Sequence, residues 1–197
     1  MNYVLLAEQF FNGFQLGIIL FLVAAGLTLI FGIMDLVNLA HGTLYMFGAF
    51  FAATFVMLTD SLILGMLIAL PVMLIAGILL ELTVLRTLYE RNHLDQVLAT
   101  FGLIIFFNEF FLIAWGPEGT GINLPPYLSG TISLPGGITV PDYRMVIIVS
   151  GLLVALFLYL LVSKTRIGML IRAGASNREM VGALGMNIKL LFTLVFG

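Results

Sequence analysis

Five apolar runs, each long enough to cross a bilayer, constrain this chain more than any motif within it. They extend from about Phe10 to Phe31, Leu39 to Leu58, Leu62 to Leu85, Val97 to Trp115 and Met145 to Val162. A spanning helix needs about 20 mostly apolar residues, and hydrocarbon offers the backbone no partner, so each run must close its own hydrogen bonds as a helix. The predicted fold class is all-α, a polytopic integral membrane helical bundle. A sixth apolar run opens at Leu190 and stops at Gly197, too short to cross. The expectation is therefore five spans plus the start of a sixth, in a single transmembrane domain over residues 1–197 truncated at its C-terminus. With 61% hydrophobic and only 9% charged residues, composition agrees, since soluble domains are about 25% charged. The 8 Lys+Arg and 10 Asp+Glu nearly cancel, which suggests no nucleic-acid partner. The absence of cysteine removes disulfides, thiolate nucleophiles and thiolate metal sites. Met1 to Gln9 lacks the basic region of a signal peptide, so the first run reads as a retained span.

Orientation follows from lysine and arginine, which are retained on the cytoplasmic side near span ends. Arg86 and Arg91 lie between spans three and four, and Lys164, Arg166, Arg172, Arg178 and Lys189 follow span five. Both segments are expected to be cytoplasmic, which places the N-terminus and the Gly116–Asp142 connection outside. That external loop, residues 116–142, carries five of the six prolines and no Lys or Arg. Within it, Ile132-Ser133-Leu134 and Ile138-Thr139-Val140 flank Pro135-Gly136-Gly137, two short strands around a tight turn. Glycines at 13, 17, 26, 32, 48, 65 and 77 predict close helix packing, with Gly13 and Gly17 forming a G-x-x-x-G pair.

Against this apolar background the stretch from Gly32 to Gly42, GIMDLVNLAHG, is anomalous. If Asn38 to Ala49 is helical, then Asn38, His41, Gly42, Tyr45 and Ala49 share one face, and Asp35 extends it. Ionisable residues at membrane depth are functional-site candidates. The glycines at either end suggest a broken or re-entrant element whose helix ends present backbone N–H or C=O groups to a solute path. Asp35, Asn38, His41, Gly42 and Tyr45 are the candidate path residues. A plain turn between spans one and two, with Asp35 or Asn38 capping the second, accounts for the same residues. Glu109, beside Asn108 in span four, is the other buried acid, Glu81 lies one turn before Arg86 near the interface, and Pro71 is placed to kink span three. Trp115 and Tyr143 suit the outer interfacial belt.

Residues 164–189 form the cytoplasmic segment before the last apolar run. Ser176 and Glu179 make an S-x-x-E capping box, predicting a helix that starts at Ser176 and ends at Gly185. Met180, Val181 and Leu184 give it an apolar face. So short a helix requires a partner groove or a lipid surface to be stable.

With these stretches in view, the chain resembles the branched-chain amino acid permeases of ABC importers, of the LivH type. The resemblance rests on Gly26-Leu27-Thr28-Leu29-Ile30-Phe31-Gly32-Ile33, Asn38-Leu39-Ala40-His41-Gly42, Ala99-Thr100-Phe101-Gly102-Leu103, and Thr165-Arg166-Ile167-Gly168 through Arg172-Ala173 to Leu184-Gly185-Met186-Asn187. It implies a multi-pass subunit of the bacterial inner membrane, paired with a LivM-like permease, two cytoplasmic ATPases and a periplasmic or lipid-anchored substrate-binding protein. No Walker motif, nucleophile triad or metal cluster appears in the sequence, so no catalytic residues or metal are expected; the resemblance implies that ATP and Mg are used by the partner ATPases, with no cofactor bound directly. It further implies that Arg172, Ser176, Glu179, Met180, Val181, Leu184 and Gly185 couple the ATPases to an alternating-access path for leucine, isoleucine and valine. Urea and short-chain amides remain alternative substrates within the same family. A proton-coupled amino acid carrier using Asp35 and Glu109 is the reading from a different class; a membrane hydrolase using His41 lacks a nucleophile on a matching face.

Overall fold

The structure, a computed structural model, describes residues 3–119, 121–134 and 137–197, the side chains of Leu134, Arg178 and Glu179 excepted. The chain forms α1 (Tyr3–Met34), α2 (His41–Thr59), α3 (Leu62–Thr83), α4 (His93–Trp115), strands β1 (Thr131–Leu134) and β2 (Ile138–Pro141), α5 (Asp142–Lys164), α6 (Arg166–Ser176), α7 (Arg178–Ala183) and α8 (Ile188–Phe196). A one-turn 3-10 helix, Leu85–Leu88, joins α3 to α4. Helices α1 to α5 are each long and apolar enough to span a bilayer, so the chain is an all-α multi-pass membrane protein. Most of their large apolar side chains remain exposed, as lipid-facing surface requires.

The span boundaries shift because polar side chains supply caps. Asn92 accepts from the Asp95 backbone N–H at 2.8 Å and starts α4 four residues before the apolar run at Val97. Ser61 caps α3. The hairpin lies where its turn chemistry placed it, with Ile132 opposite Val140 and Leu134 opposite Ile138. Pro135 and Gly136 of its turn lie outside the described residues.

The cores sit at the two ends of the bundle. At one end Ile30, Ile33 and Met34 of α1, Leu36, Leu85, Ile171 of α6, and Leu191, Phe192 and Phe196 of α8 form a single buried cluster. This end carries every lysine and arginine except Arg144 and is the basic end of the bundle. At the other end β2 packs on α1 and α5. Between them, Phe47 and Phe50 of α2 meet Phe107, Phe111 and Trp115 of α4, with ring centroids 4.6 to 5.4 Å apart. Trp115, expected as a belt residue, is half-buried at the end of α4 and is tied to α2 by its indole N–H, which donates to Thr54 Oγ1 at 2.8 Å.

The glycine expectation needs correction. A Cβ at Gly13, Gly17, Gly32 or Gly48 would meet nothing within 4 Å, so the G-x-x-x-G pair makes no close helix contact among the described residues. Close approach occurs at Gly65, against the Val56 backbone, at Gly26, against the His41 ring, and at Gly168, where α6 turns back on the last carbonyls of α5.

Candidate functional site

Helix α1 runs through Gly32 to Met34, and α2 starts at His41, so the break occupies residues 35–40 and neither glycine delimits it. The expected helix from Asn38 fails because the backbone there finds better partners elsewhere. Gln96 Oε1 accepts from Val37 N–H at 3.1 Å, and Thr100 Oγ1 accepts from Leu39 N–H at 3.2 Å. Asn38 turns its own Oδ1 to the Ala40 N–H at 3.0 Å. Non-helical backbone inside a bundle persists only where its polar groups are satisfied, and here two side chains one turn apart on α4 do so. Gln96 also donates to Leu88 O and Arg91 O, tying the break to the basic turn. Gln96 and Thr100, fully buried, were missed by sequence reasoning. Their i, i+4 spacing on the polar first turns of α4 was the available signal.

The break carries the chain back into the bundle. An offset of 61 residues relates Leu39 to Thr100 and also Thr54 to Trp115. His41 is therefore level with residue 102, about 14 Å up α4 from its first turn. The contact of His41 with Val23 and Gly26 of α1 gives a similar depth from the end of α1. The first turn of α2 is thus re-entrant, with Ala40 as N-cap and no side-chain cap bond.

The expected polar face divides. His41 and Tyr45 line a cavity of about 1010 Å³ walled by α1, α3, α5 and α8, including Val23, Pro71, Met73 and Ile147. Imidazole Nε2 lies 3.2 Å from Val23 O; because a carbonyl only accepts, Nε2 carries the hydrogen. Nδ1 is buried without a partner. Asn38, 3% exposed with an unpartnered Nδ2, lines a separate 280 Å³ pocket with Thr28 and Phe31. Gly42 is exposed on α2. Asp35 is exposed at the C-terminus of α1, where it holds a left-handed backbone with φ of 53° and donates its N–H to Phe31 O at 2.9 Å. The structure brings together His41 and Tyr45 and leaves Asp35, Asn38 and Gly42 outside that cavity. Glu109 lies on the exposed flank of α4.

Gly26 makes room for this arrangement, since a Cβ there would sit 3.1 Å from His41 Nε2 and 3.2 Å from Cε1. Gly26→Ala is expected to lower stability by about 1 kcal/mol or more through overpacking. Gly48→Ala, in open space, is the control. Thermal unfolding of the purified protein in detergent compares them; equal midpoints would remove the contact from the account.

At the basic end the expected capping box is replaced. Ser176 is the last residue of α6, and Asn177 caps α7 by accepting from Met180 N–H at 2.9 Å. Asn177 also donates its own N–H to Ala173 O at 2.9 Å, so one residue closes one helix and opens the next. An N-x-x-M start competed with S-x-x-E, and Asn caps as well as Ser; the Glu179 side chain lies outside the described residues. Gly185, φ 85°, ends α7 as expected. Its N–H bonds Gly182 O and that of Met186 bonds Val181 O, a Schellman pair. The apolar face of α7 splits: Val181 is buried, whereas Met180 and Leu184 are 58% and 75% exposed. Arg172 donates to Val162 O, clipping α6 to the end of α5.

A buried polar network, also missed, locks α8 to α3. Glu81 is fully buried. It accepts from Arg86 Nε and Nη2 at 3.3 and 3.2 Å, from Tyr89 OH at 2.7 Å and from Thr193 Oγ1 at 2.8 Å. Arg86 Nη2 also donates to Thr193 Oγ1. Among the described residues there is no cluster of His, Cys, Asp and Glu suited to a metal ion.

Comparison with known proteins decides what this architecture is. The family model described as branched-chain amino acid transport system, permease component, matches residues 9–197. This chain belongs to that family. The high-affinity branched-chain amino acid transport system permease protein BraD of Pseudomonas aeruginosa is 30% identical over 96% of this chain. The LivH permease proteins of Salmonella typhimurium and Escherichia coli are each 26% identical over the same share. The chain spans 65% of the length of these relatives. No solved structure matches it significantly. As a member of that family with five helices long and apolar enough to cross a membrane, it is a multi-pass membrane protein.

Proposed function

We propose that the complete protein is the permease subunit of a binding-protein-dependent ABC importer for branched-chain amino acids. Its partners in this reading are a LivM-like permease, two cytoplasmic ATPases and a substrate-binding protein. The family match carries the reading. The cavity between α1, α2, α3 and α5 supports the substrate class, because its walls are mostly leucine, isoleucine, methionine and valine. Such a lining favours an aliphatic side chain over urea, whose polar atoms would lose their hydration there.

Coupling is assigned to residues 164–189. Helix α7 is anchored through Val181 and presents Met180 and Leu184 outward, the arrangement a hydrophobic groove on an ATPase would take. In this mechanism ATP-driven closure of the ATPases pushes α7. The α6–α8 unit passes the displacement to α3 through Glu81, and the bundle alternates access around His41 and Tyr45. Asp35, Asn38 and Gly42 would act at the inner rim of that path.

The test is leucine uptake by the complete complex in vesicles. Met180→Asp with Leu184→Asp is expected to abolish ATP-driven uptake, by about tenfold or more, because two charges would have to be desolvated in the groove. Since both positions are exposed, folding should be unaffected. Wild-type uptake by this double variant would sink the coupling assignment. Uptake that collapses with an uncoupler and ignores ATP would support the proton-coupled carrier instead.

A further inference from the structure

At the end of the bundle opposite the basic residues, a small pocket of about 210 Å³ lies where α1, β2 and α5 converge. It holds both signs of charge. Glu8 from the second turn of α1 and Arg144 from the first turn of α5 line it together with Asn12, Thr139, Phe11 and Pro141. Among the described residues the only ion pair within 4 Å is Arg86 with Glu81, so the carboxylate and the guanidinium share this pocket without meeting. Opposite charges that line one pocket without pairing leave room for a group between them.

The remaining polar atoms are as unfilled as the charges. Arg144 uses Nε to reach Tyr143 OH at 3.3 Å, which leaves the other four guanidinium N–H groups available. Asn12 donates through Nδ2 to Gln9 Oε1, while its Oδ1 is buried with no partner. The inventory is a fork of donors for a carboxylate, a carboxylate and an amide oxygen for an ammonium, and the apolar surface of Phe11 and Pro141 beside them. One turn along α5 from Arg144, Ile147 lines the large cavity that contains His41 and Tyr45.

We infer that this pocket is an outer reception site for a zwitterionic α-amino acid. Arg144 binds the carboxylate, Glu8 and Asn12 Oδ1 bind the ammonium, and the aliphatic side chain is directed toward the cavity below. The inference rests on the proposed function and deepens it, since it locates where a released amino acid is first held by the permease. A charged zwitterion gives up hydration on entering a membrane protein, and charge-assisted bonds at the mouth replace it. Binding here is general to α-amino acids, so selection by side chain belongs to the apolar cavity or to the protein that delivers the substrate.

The experiment uses the complete complex in nanodiscs without its binding protein. L-leucine, L-alanine, leucine methyl ester and 4-methylpentanoate are the probes, the last two lacking the carboxylate and the ammonium. Wild type is expected to bind both amino acids and to prefer leucine to either analogue. Arg144→Gln and Glu8→Gln are each expected to weaken leucine by about tenfold or more, as loss of a hydrogen bond to a charged group does. Arg144→Gln should erase the preference over the ester, Glu8→Gln the preference over 4-methylpentanoate, and Arg144→Lys should restore part of the affinity. Melting midpoints near wild type show that folding is intact. Variants that keep wild-type affinity and discrimination overturn the site, as does a wild type that binds neither amino acid. ATP-driven leucine uptake by the same complex with its binding protein reports the importer reading separately. Uptake with unaltered discrimination defeats only the pocket; amino acid binding lost in the variants, with no wild-type uptake of leucine, defeats only the importer.

Discussion

Glu81→Ala is expected to destabilise the protein by about 3–5 kcal/mol, the cost of breaking a buried ion pair by removing one partner. The carboxylate is fully buried, and its partner Arg86 is 34% exposed, which puts the loss at the lower end of that range. Three donor residues lose their acceptor at once: Arg86 and Tyr89 in the connection after α3, and Thr193 on α8. Thermal unfolding of the purified protein in detergent reads the change, and a midpoint unmoved from wild type would remove the network from the stability of the basic end. Network members should not add: once Glu81 is gone, Thr193→Val is expected to cost little more, because residues sharing one network couple strongly. Burial first, and then the bond to the Glu81 carboxylate, hold the Tyr89 phenol well above its ordinary range. A raised acid stabilises the folded state below its unfolded pKa, about 10 for tyrosine, and that contribution is lost as pH climbs above it. Tyr89→Phe should therefore flatten the fall of stability at alkaline pH.

Gly65→Ala is expected to cost about 2 kcal/mol or more, at the upper end for overpacking by a single methyl. The new Cβ would lie 2.5 Å from Val56 Cγ2, 2.6 Å from Val56 N and 2.7 Å from Val56 Cα. Two of those atoms are backbone, so no rotamer change relieves the clash and α2 must separate from α3. The cavity beside His41 takes walls from both helices, so leucine uptake by the proposed importer should fall with stability. Gly17→Ala is the matched control. Nothing lies within 4 Å of its Cβ, and alanine in a helix is better than glycine by about 1 kcal/mol. Equal melting midpoints for Gly65→Ala and wild type would show that the α2–α3 approach is looser than described.

These two sites mark where reading the sequence succeeded and where it failed. Seven glycines looked alike in the apolar runs, yet only the paired helix distinguishes Gly65 and Gly26 from Gly13 and Gly17. Glu81 looked like an interfacial residue because Arg86 follows it closely, and Thr193, 112 residues away, was invisible as its partner. The break between α1 and α2 was legible as a polar interruption. Its limits were not, because they depend on Gln96 and Thr100, about 60 residues downstream. Ser176 and Asn177 are adjacent and both cap well; the choice fell to the residue whose N–H also closes α6 on Ala173.

The five apolar spans, the gathering of basic residues between them, the β1–β2 pairing and the stop at Gly185 could all be read from the chain alone. Each depends on local physics: the length of an apolar run, the retention of lysine and arginine, turn chemistry, or a left-handed backbone that glycine adopts freely. Which polar residues lie inside, which glycines touch a neighbour, how far α2 re-enters, and that His41 and Tyr45 share a cavity Asp35 does not reach became visible only once the helices were packed. Those outcomes depend on which distant donor meets which acceptor, and in a bundle of uniformly apolar helices one-dimensional patterning carries little of that information.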